Sequence, residues 1–98
     1  MTYFVLCTFD LYDATATNYD DVYTKLAEIG LNSTINSKQG NAIDLPNTTV
    51  AGKFEGISCA YVRDEVSKKV KGIFQVVGVK SKSFTIVADG YAWTQTTT

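Results

Sequence analysis

The sequence predicts an α+β sandwich with elements in the order βαββαβ, and three observations predict it. The opening stretch Thr2–Asp10, TYFVLCTFD, reads with period two as Tyr3, Val5, Cys7 and Phe9 on one face and Phe4, Leu6, Thr8 and Asp10 on the other. Both faces are largely apolar, which places this strand in the middle of a sheet, with helices on one side and something else, such as a second subunit, against part of the other. Apolar residues recur at helical spacing twice, through Val22, Tyr23, Leu26 and Ile29, and through Val62, Val66, Val70, Ile73, Phe74 and Val77. Three further extended stretches are set apart by turn-forming residues.

The first connection, Leu11–Thr17, is polar and small, and Thr17 or Asn18 is positioned to cap the helix that follows, with Asp20 and Asp21 in its first turn. Gly30 stops that helix. Leu31–Asn36 reads as a short strand and Ser37–Pro46 as a loop, with Gly40, Asn41, Asp44 and the single proline as turn formers. Asn47–Glu55 extends again with Val50, Gly52 and Phe54 on one face, and Gly52 marks a bulge or a close backbone approach. Ser58 caps the second helix, which Gly78 ends. Ser83–Asp89, SFTIVAD, is the last strand.

Right-handed crossovers turn this order into a ferredoxin-like sandwich, a four-stranded antiparallel sheet of order 4-1-3-2 with both helices on one face. With 98 residues, 45% hydrophobic and 19% charged, the chain makes one domain over residues 1–93 and a flexible tail over 94–98. No apolar run is long enough to cross a bilayer, and the strand pattern begins at once with no basic leader, so a cytoplasmic location with no membrane partner is expected. Cys7 and Cys59 lack ligand spacing and are expected to be reduced, buried thiols.

Charge is divided along the chain. Residues 1–67 hold nine acids and four bases, whereas residues 68–98 hold Lys68, Lys69, Lys71, Lys80 and Lys82 against Asp89 alone. The topology sends Asp10 to one end of the sheet and Asp89 to the other. With Asp10 it gathers Asp13, Lys38, Asp44, the lysine-bearing end of the second helix, Lys80 and Lys82. There is no histidine, so chemistry must use carboxylates, lysines, hydroxyls or a hard cation held by oxygen. Asp10, with Asp13 three residues on, is a candidate catalytic residue and a candidate ligand for Mg²⁺ or Mn²⁺. The five lysines are candidate nucleic-acid contacts. The competing readings are an Asx-turn at Asp10, a solvated helix face at Lys68, Lys69 and Lys71, and an edge strand kept from pairing by Lys80 and Lys82. Tyr3, Phe4, Phe9, Phe54, Phe74 and Phe84 read as core; Tyr12, Tyr91 and Trp93 fall outside the apolar stripes, where they can cover an interface or stack on bases. No Ser/His or Cys/His pair, P-loop or dinucleotide fingerprint is present.

The opening TYFVLCTFD, the proline-containing loop before NTTVAGKFEG, the helix starting SCAYVRDEV and the closing FTIVADGYAW together resemble the GhoS family, small antitoxins of type V toxin–antitoxin systems. The chain is similar more loosely to VapD ribonucleases and to the ferredoxin-like CRISPR adaptation nucleases. The resemblance implies an endoribonuclease acting on RNA, a homodimer, and Asp10 at the position of a strand-end aspartate, with Asp13 assisting and Lys80 or Lys82 holding phosphate. The alternative is a non-catalytic module that engages a protein partner through its sheet, since a fold does not dictate an activity.

Overall fold

β1 (Thr2–Tyr12) is the middle strand of an antiparallel sheet, flanked by β4 (Thr49–Glu55) and β5 (Lys80–Ala88) in the order β4-β1-β5. The other elements of this computed structural model, which describes residues 1–98, are α1 (Ala16–Glu28), α2 (Cys59–Val77) and a small hairpin, β2 (Thr34–Asn36) with β3 (Ala42–Asp44). No helix is long and apolar enough to cross a membrane.

Alternation along β1 divides its residues between two environments. Tyr3, Val5, Cys7 and Phe9 are buried against Val22 and Leu26 of α1 and Val62, Val66, Val70 and Phe74 of α2, so both helices cover the same face. Phe9 anchors the upper part of this core, its ring 5.6 Å from that of Phe74 and 5.8 Å from that of Tyr23. Each fully buried aliphatic or aromatic side chain here stabilises the fold by about 1.5–3 kcal/mol relative to exposure. The opposite face, with Phe4, Leu6, Thr8, Asp10 and Tyr12, has no helix on it.

Both helix starts are set by side-chain caps. At α1 the cap is Thr15, not Thr17 or Asn18: its hydroxyl accepts from the Asn18 N–H, and the Asn18 side chain accepts in return from the Thr15 N–H. The helix thus begins earlier than expected, and Asp20 and Asp21 lie beyond its first turn. Ser58 caps α2 by accepting from the Tyr61 N–H, and Gly78 ends it in the left-handed conformation.

The expected single four-stranded sheet is not formed. Of the predicted strand Leu31–Asn36, only Asn32 pairs with β4, exchanging two 2.9 Å backbone hydrogen bonds with Ala51. Beyond it the chain folds on itself as β2-β3, with Leu45 N–H donating to the Ser33 carbonyl. The cause is compositional: after the buried Leu31, the segment Asn32–Asn36 has one apolar residue, Ile35, to reward continued pairing with the sheet. A local hairpin across the Gly40 turn closes a shorter loop at lower entropic cost. Gly52 allows even the single bridge, because a Cβ there would lie 1.9 Å from the Gly30 carbonyl oxygen. Close approach, rather than a bulge, explains this glycine.

Candidate functional site

β5 begins at Lys80 rather than Ser83, and this extension builds the site. Its pairing with β1 places Lys80 opposite Tyr12, Lys82 opposite Asp10, Phe84 opposite Thr8 and Ile86 opposite Leu6. Directly opposed residues of an antiparallel ladder share a face and have Cβ atoms about 4.5–5.5 Å apart. Asp10 and Lys82 are therefore side by side on the open face, with Tyr12 and Lys80 beyond them and Phe84 and Thr8 behind. A shallow depression of about 100 Å³ is lined by Thr8, Phe9, Asp10, Lys82, Ser83 and Phe84.

All five of these open-face side chains, Asp10, Tyr12, Lys80, Lys82 and Phe84, are exposed. No ion pair within 4.0 Å joins Asp10 to either lysine; the ion pairs present are Met1–Glu55 and Arg63–Asp64. The carboxylate and the ammonium groups thus remain free to meet a ligand. Phe84, expected in the core, is 67% exposed, and Ile86 is 53% exposed. The register is the reason: Phe84 lies two and four residues from Lys82 and Lys80, on the side of the sheet that the helices do not cover. A strand read from Lys80 onward would have shown it, since Lys80, Lys82, Phe84 and Ile86 form one alternating set.

The remaining candidates are spread apart. Asp13 has φ +52°, a left-handed conformation that aspartate tolerates better than most residues, and this turn explains its presence structurally. Lys68, Lys69 and Lys71 are exposed on α2, on the helical side of the sheet, so the five lysines do not form one patch. Lys38 lines a cleft near Phe4 and Tyr91 rather than standing beside Asp10. No three Asp, Glu, Cys or His side chains gather as a metal site. A cation at Asp10 would need oxygens of water or of a bound ligand for the rest of its shell.

Next to this patch, Thr48 at the entry to β4 holds φ +57°, a costly conformation for a β-branched residue. Three hydrogen bonds hold it: its N–H donates to the Tyr23 hydroxyl at 2.7 Å, its own hydroxyl donates to the Asn47 carbonyl at 2.6 Å, and its carbonyl accepts from Phe9 N–H at 3.0 Å. The last of these bonds ties the strand end that presents Asp10 to the entry of β4. Both cysteines are free; burial pushes the Cys7 thiol up from its ordinary range, against a hydrogen bond with Thr85 that lowers it. Cys7 is therefore a packing residue and not a nucleophile. No protein-family model matches this chain, and no curated protein matches it significantly.

Proposed function

We propose that the protein is a small, cytoplasmic, antitoxin-like RNA-processing protein that binds single-stranded RNA on the open face of its sheet and cleaves it at Asp10. The observation that carries this reading is the register that sets Asp10 opposite Lys82 on a helix-free face, between the exposed rings of Tyr12 and Phe84. Exposed aromatics on a sheet are stacking platforms for unpaired bases, and adjacent lysines attract the phosphates between them. The free thiols of Cys7 and Cys59 fit a reducing compartment.

The side chains present carry a metal-free transesterification. The Asp10 carboxylate takes the proton of a ribose 2′-hydroxyl as that oxygen attacks the adjacent phosphorus. The Lys82 ammonium stabilises the charge developing on the non-bridging oxygens, while Lys80 holds a neighbouring phosphate. The P–O5′ bond breaks, the leaving oxygen takes a proton from Lys82 or water, and the products end in a 2′,3′-cyclic phosphate and a 5′-hydroxyl. The looser resemblance to the VapD ribonucleases and the CRISPR adaptation nucleases supports the same assignment of Asp10.

A second reading has its own observation. β5 pairs only with β1, so its other edge is open over nine residues beside exposed Phe84 and Ile86, and such an edge can recruit a second copy or a protein partner. The test is a gel assay on mixed RNA with wild type, Asp10→Ala and Lys82→Ala, in Mg²⁺, Mn²⁺ and chelator. Cleavage lost in both variants and retained in chelator is expected. Cleavage undiminished in Asp10→Ala removes Asp10 from the mechanism, and wild type that neither binds nor cuts RNA leaves the interaction module as the function.

A further inference from the structure

The largest cavity of the molecule, about 800 Å³, lies on the same open face but near the opposite end of β1 from Asp10. Phe4 and Asp10 are six residues apart on one strand, or roughly 20 Å at the usual rise. The cleft has three walls. Its floor is the sheet, at Phe4, Ala51 and Lys53; one side is the β2-β3 hairpin; the other is the chain after β5. That last segment does not simply leave the domain. Tyr91 stacks on Phe4 with ring centroids 4.3 Å apart and planes at 20°, Trp93 lines the cleft, and Gln95 donates to the Asp44 carbonyl of β3 at 2.8 Å.

We infer that this cleft is a nucleotide-binding site. Its lining divides into the three kinds of group that a nucleotide requires. Tyr91 and Trp93, each less than half exposed, with Phe4 beneath, supply aromatic surface for a base. Asn32 and Asn36 supply amides able to donate to and accept from a base edge. Lys38 and Lys53 supply positive charge for a phosphate, and the lining contains no aspartate or glutamate although the chain as a whole has net charge −1. An acidic protein whose largest cavity is lined by two lysines and no acid is arranged for an anion there. The volume falls in the range of small-molecule sites.

The bound group is either a free mononucleotide or the phosphorylated end of an RNA strand, and the two share one chemistry. The inference does not rest on cleavage at Asp10, because free mononucleotides test it with no RNA present. Trp93 is the only tryptophan in the chain and lines the cleft, so intrinsic fluorescence of the full-length protein reads occupancy directly. Titration with adenosine and uridine monophosphates is expected to change Trp93 emission saturably, with the parent nucleosides weaker. Lys38→Ala/Lys53→Ala is expected to weaken the nucleotide about tenfold to a hundredfold, the usual effect of losing hydrogen bonds to charged groups. Tyr91→Ala, on an exposed segment, removes stacking without touching the core. A matched pair of oligoribonucleotides, with and without a 5′-phosphate, separates the sources: preference for the phosphorylated strand over the mononucleotide marks a strand end, and the reverse marks a free nucleotide. Emission unchanged by millimolar nucleotide and by both oligonucleotides overturns the site. So does binding that Lys38→Ala/Lys53→Ala leaves untouched, or nucleosides that bind as tightly as nucleotides.

Discussion

Both faces of β1 carry large apolar side chains, and the two have opposite fates. Tyr3, Val5, Cys7 and Phe9 are all at or below 3% exposed, whereas Phe4 and Leu6 are half-buried and Thr8, Asp10 and Tyr12 face outward. The helices explain the first set. The second is covered only in part, by the segment carrying Tyr91 and Trp93 near Phe4, and its other end is left to Asp10, Lys82 and Phe84. Apolar side chains on the helix-covered face hold the fold together, whereas those on the second face stay partly open to solvent, where the proposed recognition would take place.

The sharpest way to break that comparison is to truncate one aromatic on each face. Phe9→Ala removes a ring that packs on Phe74 and Tyr23, and its expected cost is about 3–5 kcal/mol in urea unfolding. Phe84→Ala should change stability by about 0.5 kcal/mol or less, yet weaken single-stranded RNA binding by about 1–3 kcal/mol. Equal destabilisation by both would show that Phe84 packs, and the division of labour between the faces would fail.

Much of this arrangement was legible in the residues. The central place of β1, the helix stripes, the Ser58 and Gly78 caps and the placing of Asp10 with Lys80 and Lys82 follow from periodicity and connection rules, whereas Lys68, Lys69 and Lys71, expected beside them, lie on the helical side of the sheet. Three larger features also did not follow. The fourth strand is lost because Asn32–Asn36 offers too little apolar surface, an energetic margin that a strand pattern does not express. Phe84 was misplaced because its neighbours in strand register, Lys80 and Lys82, look like a loop when charge is taken as a boundary. The cleft was invisible because it joins Phe4, the hairpin and the segment after β5, three stretches that no local pattern connects.

A pair of glycines sharpens the comparison on the covered side. Gly52 lies opposite Val5 and has no room for a side chain, with the Gly30 carbonyl 1.9 Å from a built Cβ. Gly72, inside α2, would meet nothing within 4 Å. Gly52→Ala should therefore destabilise by about 1–3 kcal/mol, the size of an overpacking penalty, and should sever the Asn32–Ala51 bridge. Gly72→Ala should stabilise by about 0.5–1 kcal/mol through helix propensity and a less free unfolded chain. Amide hydrogen exchange at Asn32 and Ala51 reads the bridge itself. Full protection there in Gly52→Ala would mean that the backbone shifts to accommodate the methyl group, and that the hairpin is joined to the sheet more loosely than its geometry implies.

The smallest effect tests the open face where it carries charge without recognition. Glu55, exposed and paired with Thr2 across β1 and β4, has its carboxyl held below the ordinary range chiefly by the Thr2 hydroxyl, helped by the N-terminal ammonium 3.6 Å away. A carboxylate whose pKa is lower in the folded state contributes stability that is complete above its unfolded value, near 4.3, and is lost as pH falls through the folded one. Glu55→Gln should thus flatten the stability profile slightly in acid, because the amide does not titrate, and at neutral pH should lose only the small contribution of the contact with the N-terminal ammonium. Solvent screens an exposed contact of this kind, so its contribution belongs to the low end of surface ion pairs. If Glu55→Gln instead cost as much as Phe9→Ala, the open face would be contributing to cohesion through its charges, and the contrast between the two sides of β1 would have to be drawn in electrostatic rather than packing terms.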